Sequence, residues 1–293
     1  MRAAKVTALP NLAPVIFSSL ITAHSSPSIG MLAALLADYS TTFWLVAVLA
    51  VLLSGVTKAG FGGGAGVIAT PLLALTIPVG QAAALMLPIL IVIDILSVYQ
   101  YRRAVDRVNL RMLLPGAIAG IVLGALFFSS FSDQERLLKF GVGILALAFV
   151  LYRLLLNAIV RVLGAARPSP LWASVWGAIS GFTSTLAHVG GPTLTIYLLP
   201  QQLPRHLFVG TSVWFFFVVN LLKLIPYALL GLLRVENLPV TLLLLPLAFI
   251  GVRLGVTLNR AFNERWFHLF IYTLLILTGV QLVLGRNLIA YFF

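Results

Sequence analysis

The sequence predicts an all-α, polytopic membrane protein with two homologous halves of four to five transmembrane segments each. Three observations predict it. Of the 293 residues, 61% are hydrophobic and 9% are charged, the apolar residues form long runs, and motifs of the first half recur in the second. A soluble domain has about 45–50% apolar and about 25% charged residues. Together with a mean hydropathy of +1.09, this composition excludes a soluble enzyme and indicates membrane-spanning segments.

The net charge is +12, and the basic residues are placed as they are in membrane proteins whose helices they orient. Basic residues such as Arg102, Arg103, Arg107 and Arg111 lie in a short gap between apolar runs, and Lys and Arg in such gaps are retained on the cytoplasmic side. We therefore predict the lipid bilayer as a partner and no nucleic acid. The chain has no cysteine, which excludes disulfides and cysteine nucleophiles.

The apolar runs divide the chain into five regions. Residues 1–42 form an N-terminal extension, either a signal-like segment or an extra span. A first repeat covers 43–157, a basic connecting loop 158–170, a second repeat 171–285 and a C-terminal tail 286–293. The predicted helical segments, in order, are Phe43–Thr57, Val67–Ile77, Val79–Tyr101, Met112–Ser130, Leu137–Leu156, Leu171–Ala187, Pro192–Leu199, Leu207–Leu233, Leu238–Leu258 and Trp266–Leu284.

The lengths of these segments assign their roles. Crossing about 30 Å of hydrocarbon takes about 20 helical residues, and most of the segments approach or exceed that length. Val67–Ile77 and Pro192–Leu199 are too short, and each follows a glycine-rich stretch. We predict broken or re-entrant helices there, since irregular backbone at membrane depth is tolerated where protein or a wet cavity satisfies it.

An internal repeat relates the two halves. Several first-half positions recur at an offset of 126 residues, and a later group at an offset of 131 residues. The clearest matches are Ser54-Gly55-x-Thr57 with Ser180-Gly181-x-Thr183, Gly64 with Gly190, Asp94 with Asn220, and Leu114-Pro115 with Leu245-Pro246. Duplicated halves are typical of transporters that bind substrate where the repeats meet. If the short segments cross, each half has five spans and the halves are inverted; if they are re-entrant, each half has four spans and the halves are parallel.

The two glycine-rich stretches are the predicted anion site. A half-helix that begins after such a stretch directs its positive dipole end and free backbone N–H groups at a bound anion, and Pro192 suits a first helical position. The alternative is close helix packing through small residues. The predicted substrate-binding residues are Thr57, Lys58, Gly62, Gly63, Gly64, Thr183, His188, Gly190, Gly191 and Thr193.

Ionisable groups in apolar runs are functional candidates. His188 either carries a proton, donates to the anion or is a hydrogen-bonded structural histidine; Lys58 either serves the site or extends to the interface. Asp94 is a candidate proton site, or bonds its repeat counterpart Asn220. Lys223 is a substrate counter-charge or a partner of Asp94. Arg253 either clamps an oxyanion or lies near a helix end.

The sequence does not contain the residue patterns that metal binding, nucleotide binding or enzymatic catalysis would require. The four histidines have no metal-ligand spacing, no Gly-Lys-Ser/Thr follows the glycines, and no nucleophile with its base is apparent. We therefore predict no metal, no cofactor and no enzymatic activity. The leading hypothesis is a secondary transporter of a small anion, with a proton as the candidate coupling ion. The alternatives are a non-transporting membrane subunit of a larger complex, or a channel or metal-ion permease.

The order of motifs resembles the TauE/SafE family, of the sulfite-exporter or toluenesulfonate-uptake type. The motifs are Gly60-Phe61-Gly62-Gly63-Gly64, Pro71-Leu72-Leu73, Asn109-Leu110, Gly190-Gly191-Pro192 and Gly210-Thr211-Ser212. The resemblance covers roughly residues 43–285 and implies a multi-pass transporter of the bacterial plasma (inner) membrane. It implies sulfite, sulfonates or related organic acids as substrates and transport driven by an ion gradient. In two places the sequence departs from the family: His188 stands where a glycine is usual, and Leu85–Pro88 replaces a Gly-Thr-Ser opening.

Overall fold

The computed structural model describes residues 38–61, 66–163, 167–261 and 264–285. The predicted tail 286–293 and nearly all of the extension 1–42 lie outside these ranges. Contacts divide the chain into residues 1–40 and residues 41–293, and the helices belong to the second unit. They are α1 (Thr41–Phe61), α2 (Ala69–Leu73), α3 (Val79–Tyr101), α4 (Arg107–Phe131), α5 (Glu135–Leu163), α6 (Pro170–Ala187), α7 (Gly191–Leu198), α8 (Arg205–Leu229), α9 (Leu238–Ala261) and α10 (Glu264–Leu284).

The predicted all-α class is confirmed. Besides these helices there are three short 3₁₀ turns, Gly66–Ile68, Leu199–Gln201 and Val235–Asn237, and the described ranges contain no β-strand. Six helical segments are long and apolar enough to cross a membrane, in α1, α3, α4, α5, α8 and the stretch Val235–Gly255 that includes most of α9. The chain is therefore a multi-pass membrane protein.

Local sequence explains where several helices begin and end. Asp106 caps α4, since its side chain accepts hydrogen bonds from the backbone N–H groups of Val108 and Asn109. The sequence predicted a helix continuing to Leu233, but α8 ends at Leu229. Gly231 follows with a φ of 64°, a left-handed conformation that glycine adopts without steric cost and that ends a helix.

Small residues allow two helix pairs to approach closely. In the contact between α4 and α6, a Cβ added to Gly120 would lie 1.9 Å from the carbonyl oxygen of Ala178. In the contact between α1 and α9, a Cβ added to Gly255 would lie 2.5 Å from the carbonyl oxygen of Val56. These glycines therefore serve backbone-to-backbone packing, as small residues do in membrane helices.

The same contacts give the helix directions. Along α4, Gly116 approaches Ser174 and Gly124 approaches Thr185, so α4 and α6 run in the same direction. Along α9, Gly251 approaches Leu52 and Gly255 approaches Val56. It follows that α1 and α9 also run in the same direction.

Hydrogen bonds define two ends of the bundle. At the Val79 end, the backbone N–H of Val79 donates to Glu135 at the start of α5, and Gln81 donates to Asn237 before α9. At the Asp106 end, the backbone N–H of Asp106 donates to Thr211 near the start of α8. There too, the side chain of Asn109 donates to Gln201 after α7. Hence α3, α5 and α9 begin at the Val79 end, and α4 and α8 begin at the Asp106 end.

Candidate functional site

A cluster of buried charged and polar side chains lies where α1, α3, α6 and α8 meet. Lys58, Asp94, Asn220 and Lys223 expose 9%, 1%, 2% and 0% of their surface. We call these four residues the central cluster. Ionisable groups at membrane depth are costly, so they are candidates for function.

Asp94 joins three helices of the central cluster. Its Oδ1 accepts a hydrogen bond from Lys58 Nζ at 2.5 Å and forms an ion pair with it, and its Oδ2 accepts one from Asn220 Nδ2 at 2.6 Å. Charge-assisted bonds of this kind are short and strong. The bond between the repeat counterparts Asp94 and Asn220, considered from the sequence, is present. The other amide atom, Asn220 Oδ1, is buried without a hydrogen-bond partner among the described residues.

Lys223 pairs with neutral groups. Its Nζ donates to both the carbonyl oxygen and the Oγ of Ser184, each at 3.1 Å. The sequence-based alternative of an ion pair with Asp94 is wrong, because Lys58 and Asn220 already take both carboxylate oxygens. Within the described ranges, no carboxylate forms an ion pair with Lys223.

His188 ends α6 and begins the turn to α7. It has a φ of 57°, the left-handed conformation of a helix C-cap. Its Nδ1 lies 3.0 Å from the Oγ1 of Thr70 on α2, and its Nε2 is buried with no partner in the part of the chain that the structure describes. The ring therefore ties α2 to the α6–α7 turn and leaves one nitrogen unused.

A small cavity of about 10 Å³, room for about one water molecule, adjoins the central cluster. It brings together four helices, α1, α3, α6 and α8, with the α6–α7 turn and the start of α7. It is lined by Lys58, Leu90, Ser184, His188, Gly191, Phe216 and Asn220. The first residue of α7, Gly191, faces this space, so the positive end of the α7 dipole contributes there. The cavity thus combines an ammonium, an imidazole nitrogen, an amide and a helix N-terminus.

Three predicted donors are engaged elsewhere. The hydroxyl of Thr57 donates to Ser54, that of Thr183 to Ile179 or Ser180, and that of Thr193 to Gly190, in each case to a carbonyl oxygen. Their role as anion donors stays a prediction and requires these bonds to be exchanged. The predicted ligands Gly62, Gly63 and Gly64 lie outside the described residues. Gly190 is buried, and its carbonyl oxygen also accepts a hydrogen bond from Ser180.

Arg253 does not reach the site. The sequence allowed a buried arginine that clamps an oxyanion, but Arg253 is exposed on α9. The reason is helical geometry: Gly251 and Gly255 pack against α1, so the residue midway between them points away from that contact. Arg253 lies eight residues before Ala261, the last residue of α9.

Sequence reasoning missed Ser184, which both lines the cavity and accepts from Lys223. A signal was available, because Ser184 stands 126 residues after Lys58, the offset that relates Asp94 to Asn220. The counterpart of a candidate residue is itself a candidate in a duplicated chain. Among the described residues, no group of three or more His, Asp or Glu side chains is arranged to hold a metal ion.

A second, larger cavity lies at the Val79 end. Its volume is about 600 Å³. Its polar lining residues include Gln81, Ser132, Asp133, Glu135 and Arg234. It adjoins the first turn of α3 and the residues that follow α8, and so opens at one end of the two helices that carry Asp94 and Lys223.

Comparison with known proteins gives one match. A family model described as sulfite exporter TauE/SafE matches residues 47–282, most of the chain. This range includes every residue of the central cluster. Neither a curated protein nor a solved structure matches the chain.

Proposed function

The chain belongs to the sulfite exporter TauE/SafE family, and from this premise we propose that it is a secondary transporter of a small anion. The substrate class is sulfite, an organosulfonate or a related organic acid, carried across a bacterial plasma membrane and coupled to an ion gradient, with a proton as the coupling ion. The family is one of membrane transporters, which accords with the absence of an enzyme mechanism in the sequence.

The observation that carries the proposal is the excess of basic over acidic side chains in the central cluster. Lys58 and Lys223 are two basic side chains, whereas Asp94 is the one carboxylate among the described cluster residues. In a low-dielectric interior a protonated lysine without a counter-ion strongly attracts an opposite charge. The cavity beside the cluster therefore favours a small anion, which the cavity would widen to admit and which would be held by Lys58, His188 Nε2 and the N-terminus of α7.

The glycine-rich stretch is the second part of the proposed site. Gly62 follows α1 directly, and Lys58, one helical turn earlier, lines the cavity. Backbone N–H groups of Gly62, Gly63 and Gly64 would then add donors to the anion without bringing side chains into the space. Gly63→Val should abolish transport while expression is retained, and unchanged transport would exclude this role.

We also propose that the two halves are inverted repeats. Counterpart helices make counterpart contacts: α1 packs on α9 as α6 packs on α4, while α3 packs on its counterpart α8 and α5 on α10. The hydrogen bond from Asn220 to Asp94 likewise joins matched positions. Since α1 begins at the Val79 end with α9, and α6 at the Asp106 end with α4, the halves have opposite directions.

The number of crossings follows from this arrangement. The chain starts α1 at the Val79 end and returns there to start α3, so α1 and α2 together form a re-entrant pair, as do α6 and α7 at the Asp106 end. Three long helices per half then cross the membrane. The sequence-based alternative of five spans per half has the same inverted direction, with α1 and the short segment after it counted as two spans, and it stays a prediction.

Basic residues suggest the orientation. Among the residues that the structure describes, the Asp106 end carries Arg102, Arg103, Arg107, Arg111 and Arg205, whereas the Val79 end carries fewer, namely Arg136, Lys139 and Arg234. Because Lys and Arg accumulate on the cytoplasmic side, we propose that the Asp106 end is cytoplasmic. The larger cavity then opens to the opposite side of the membrane.

Reconstituted transport tests the proposed function. The purified protein in liposomes is expected to give saturable sulfite and methanesulfonate flux that follows an imposed pH gradient, above that of liposomes without protein. Flux without any response to the gradient would leave an anion carrier with another coupling ion. The absence of flux for every sulfur oxyanion would contradict the proposal and favour a non-transporting subunit.

A further inference from the structure

We propose that Lys223 binds the coupling proton, so that one proton and one monovalent anion occupy the central site together. This inference rests on the proposed function, and it names both the proton-binding group and the charge of the substrate. The substrate class is then a monoanion, such as hydrogen sulfite or a sulfonate.

Asp94 is poorly placed to carry that proton. Both of its oxygens accept charge-assisted or amide hydrogen bonds, from Lys58 and from Asn220. Protonation of either oxygen would remove an acceptor from a buried donor, and leaving a buried charged donor unsatisfied is costly. Lys58 and Asp94 therefore stay a neutral ion pair whether or not substrate is bound.

Lys223 has the opposite environment. Its side chain is fully buried, and its two acceptors, the carbonyl oxygen and Oγ of Ser184, are uncharged. A neutral amine has two N–H groups and can satisfy both acceptors. A buried ammonium without a counter-ion is unfavourable. In the empty site, Lys223 is therefore neutral.

A bound anion favours the protonated form of Lys223 instead of the neutral one. Ser184, which accepts from Lys223, lines the cavity, so an anion there lies one side chain away from Nζ. The anion supplies the missing negative charge, and the lone pair of Nζ takes up a proton from solution. The net charge of the site is zero before and after binding. A dianion would leave one negative charge uncompensated.

The remaining titratable groups around Lys223 do not serve the same role. His188, from the α6–α7 turn, is bound to Thr70 through Nδ1, and an imidazolium there would add a third cation beside two lysines. Tyr227, one turn further along α8, donates its hydroxyl to the carbonyl oxygen of Thr185 at 2.6 Å. With Lys58 on α1 and Asp94 on α3, these are the charged and titratable groups of the helices around the site.

Calorimetric titration with methanesulfonate tests the inference, because this probe is a permanent monoanion and any proton taken up must go to the protein. Binding heats in buffers of different ionisation enthalpy give the number of protons bound per anion. We expect about one for the wild type and for His188→Gln. We expect about none for Lys223→Arg, since arginine remains protonated.

The outcomes separate the two claims. Binding without proton uptake in the wild type would overturn the inference and leave anion binding intact. Loss of uptake in His188→Gln, with binding retained, would move the proton to that residue and also overturn it. If Lys223→Arg does not fold, the wild type and His188→Gln decide. If neither methanesulfonate nor sulfite binds to any of them, the proposed function fails and the inference with it.

Discussion

Asp94 holds the centre of the site through its two oxygens, and the residues on either side belong to different helices. Lys58 comes from α1 and Asn220 from α8. Removing one partner of a buried ion pair leaves the other charge uncompensated, which is far more costly than losing an exposed pair. The stability of the bundle is therefore sensitive at this position.

Lys58→Met is expected to destabilise the protein by about 3–5 kcal/mol, because Asp94 Oδ1 loses its ion-pair partner in a buried site. The measurement is the midpoint of thermal unfolding in detergent. Lys139→Met is the matched control, since Lys139 forms a half-exposed pair with Glu135 at 3.7 Å, and such pairs contribute about 0–1 kcal/mol. Equal shifts for the two variants would show that the Lys58–Asp94 pair is not structural.

For individual residues, the sequence predicted contacts between repeat counterparts better than other contacts. Asp94 and Asn220 occupy matched positions, so a contact across the repeat interface could be expected. The bond of Lys223 to Ser184 could not, because spacing along α8 does not say which residue of another helix faces Nζ. The two alternatives for Arg253 stayed open for the same reason: burial depends on which face of α9 packs against α1.

The close packing of α4 against α6 requires glycines, because there is no room for a Cβ at the contact. Gly116, Gly120 and Gly124 on α4 each approach α6 too closely for a Cβ. Backbone groups cannot move aside as a flexible side chain can, so a methyl group there has to separate the helices.

Gly120→Ala is expected to destabilise the protein by about 1–3 kcal/mol or to abolish its folded yield, since the new Cβ would meet a backbone carbonyl. Size-exclusion profiles and unfolding midpoints in detergent measure the effect. Gly141→Ala on α5 is the control, because nothing lies within 4 Å of its Cβ position. Wild-type stability of Gly120→Ala would mean that α4 and α6 are not in this contact.

The sequence predicted the existence of the helices better than their ends. Every predicted segment overlaps a helix or helical turn, because apolar runs of this length form helices in a membrane. The end of α8 was misplaced by four residues, since the apolar run continues past Leu229 and only the φ of Gly231 ends the helix. The run of leucines therefore does not show at which residue α8 ends.

For the molecule as a whole, the proposed inversion of the second half relative to the first has the largest consequence. The sequence left the relative direction of the halves open, because this direction depends on whether the chain returns to the same end after α1 and α2. The proposal rests on the long-range contacts of α1 with α9, which the length and composition of α1 do not reveal. Inverted halves allow the site between them to be exposed to each side in turn.

Single cysteines test the inversion, and the cysteine-free chain is a ready background. Arg103→Cys marks the α3–α4 connection, and Glu236→Cys marks its counterpart between α8 and α9. A membrane-impermeant maleimide is expected to label Glu236→Cys on intact cells and Arg103→Cys only after permeabilisation. Labelling of both cysteines from the same side would indicate parallel halves.

The central claim is that a buried site with two basic side chains binds the transported anion, and two substitutions of the same kind test it. Lys223→Gln and Arg253→Gln each remove one basic side chain, the first in the central cluster and the second on the exposed face of α9. Sulfite flux in proteoliposomes, scaled to folded protein, is the measurement. The flux of Lys223→Gln should fall about tenfold or more, the effect of losing a charged contact, while Arg253→Gln keeps wild-type flux. Equal flux in the two variants would contradict the account.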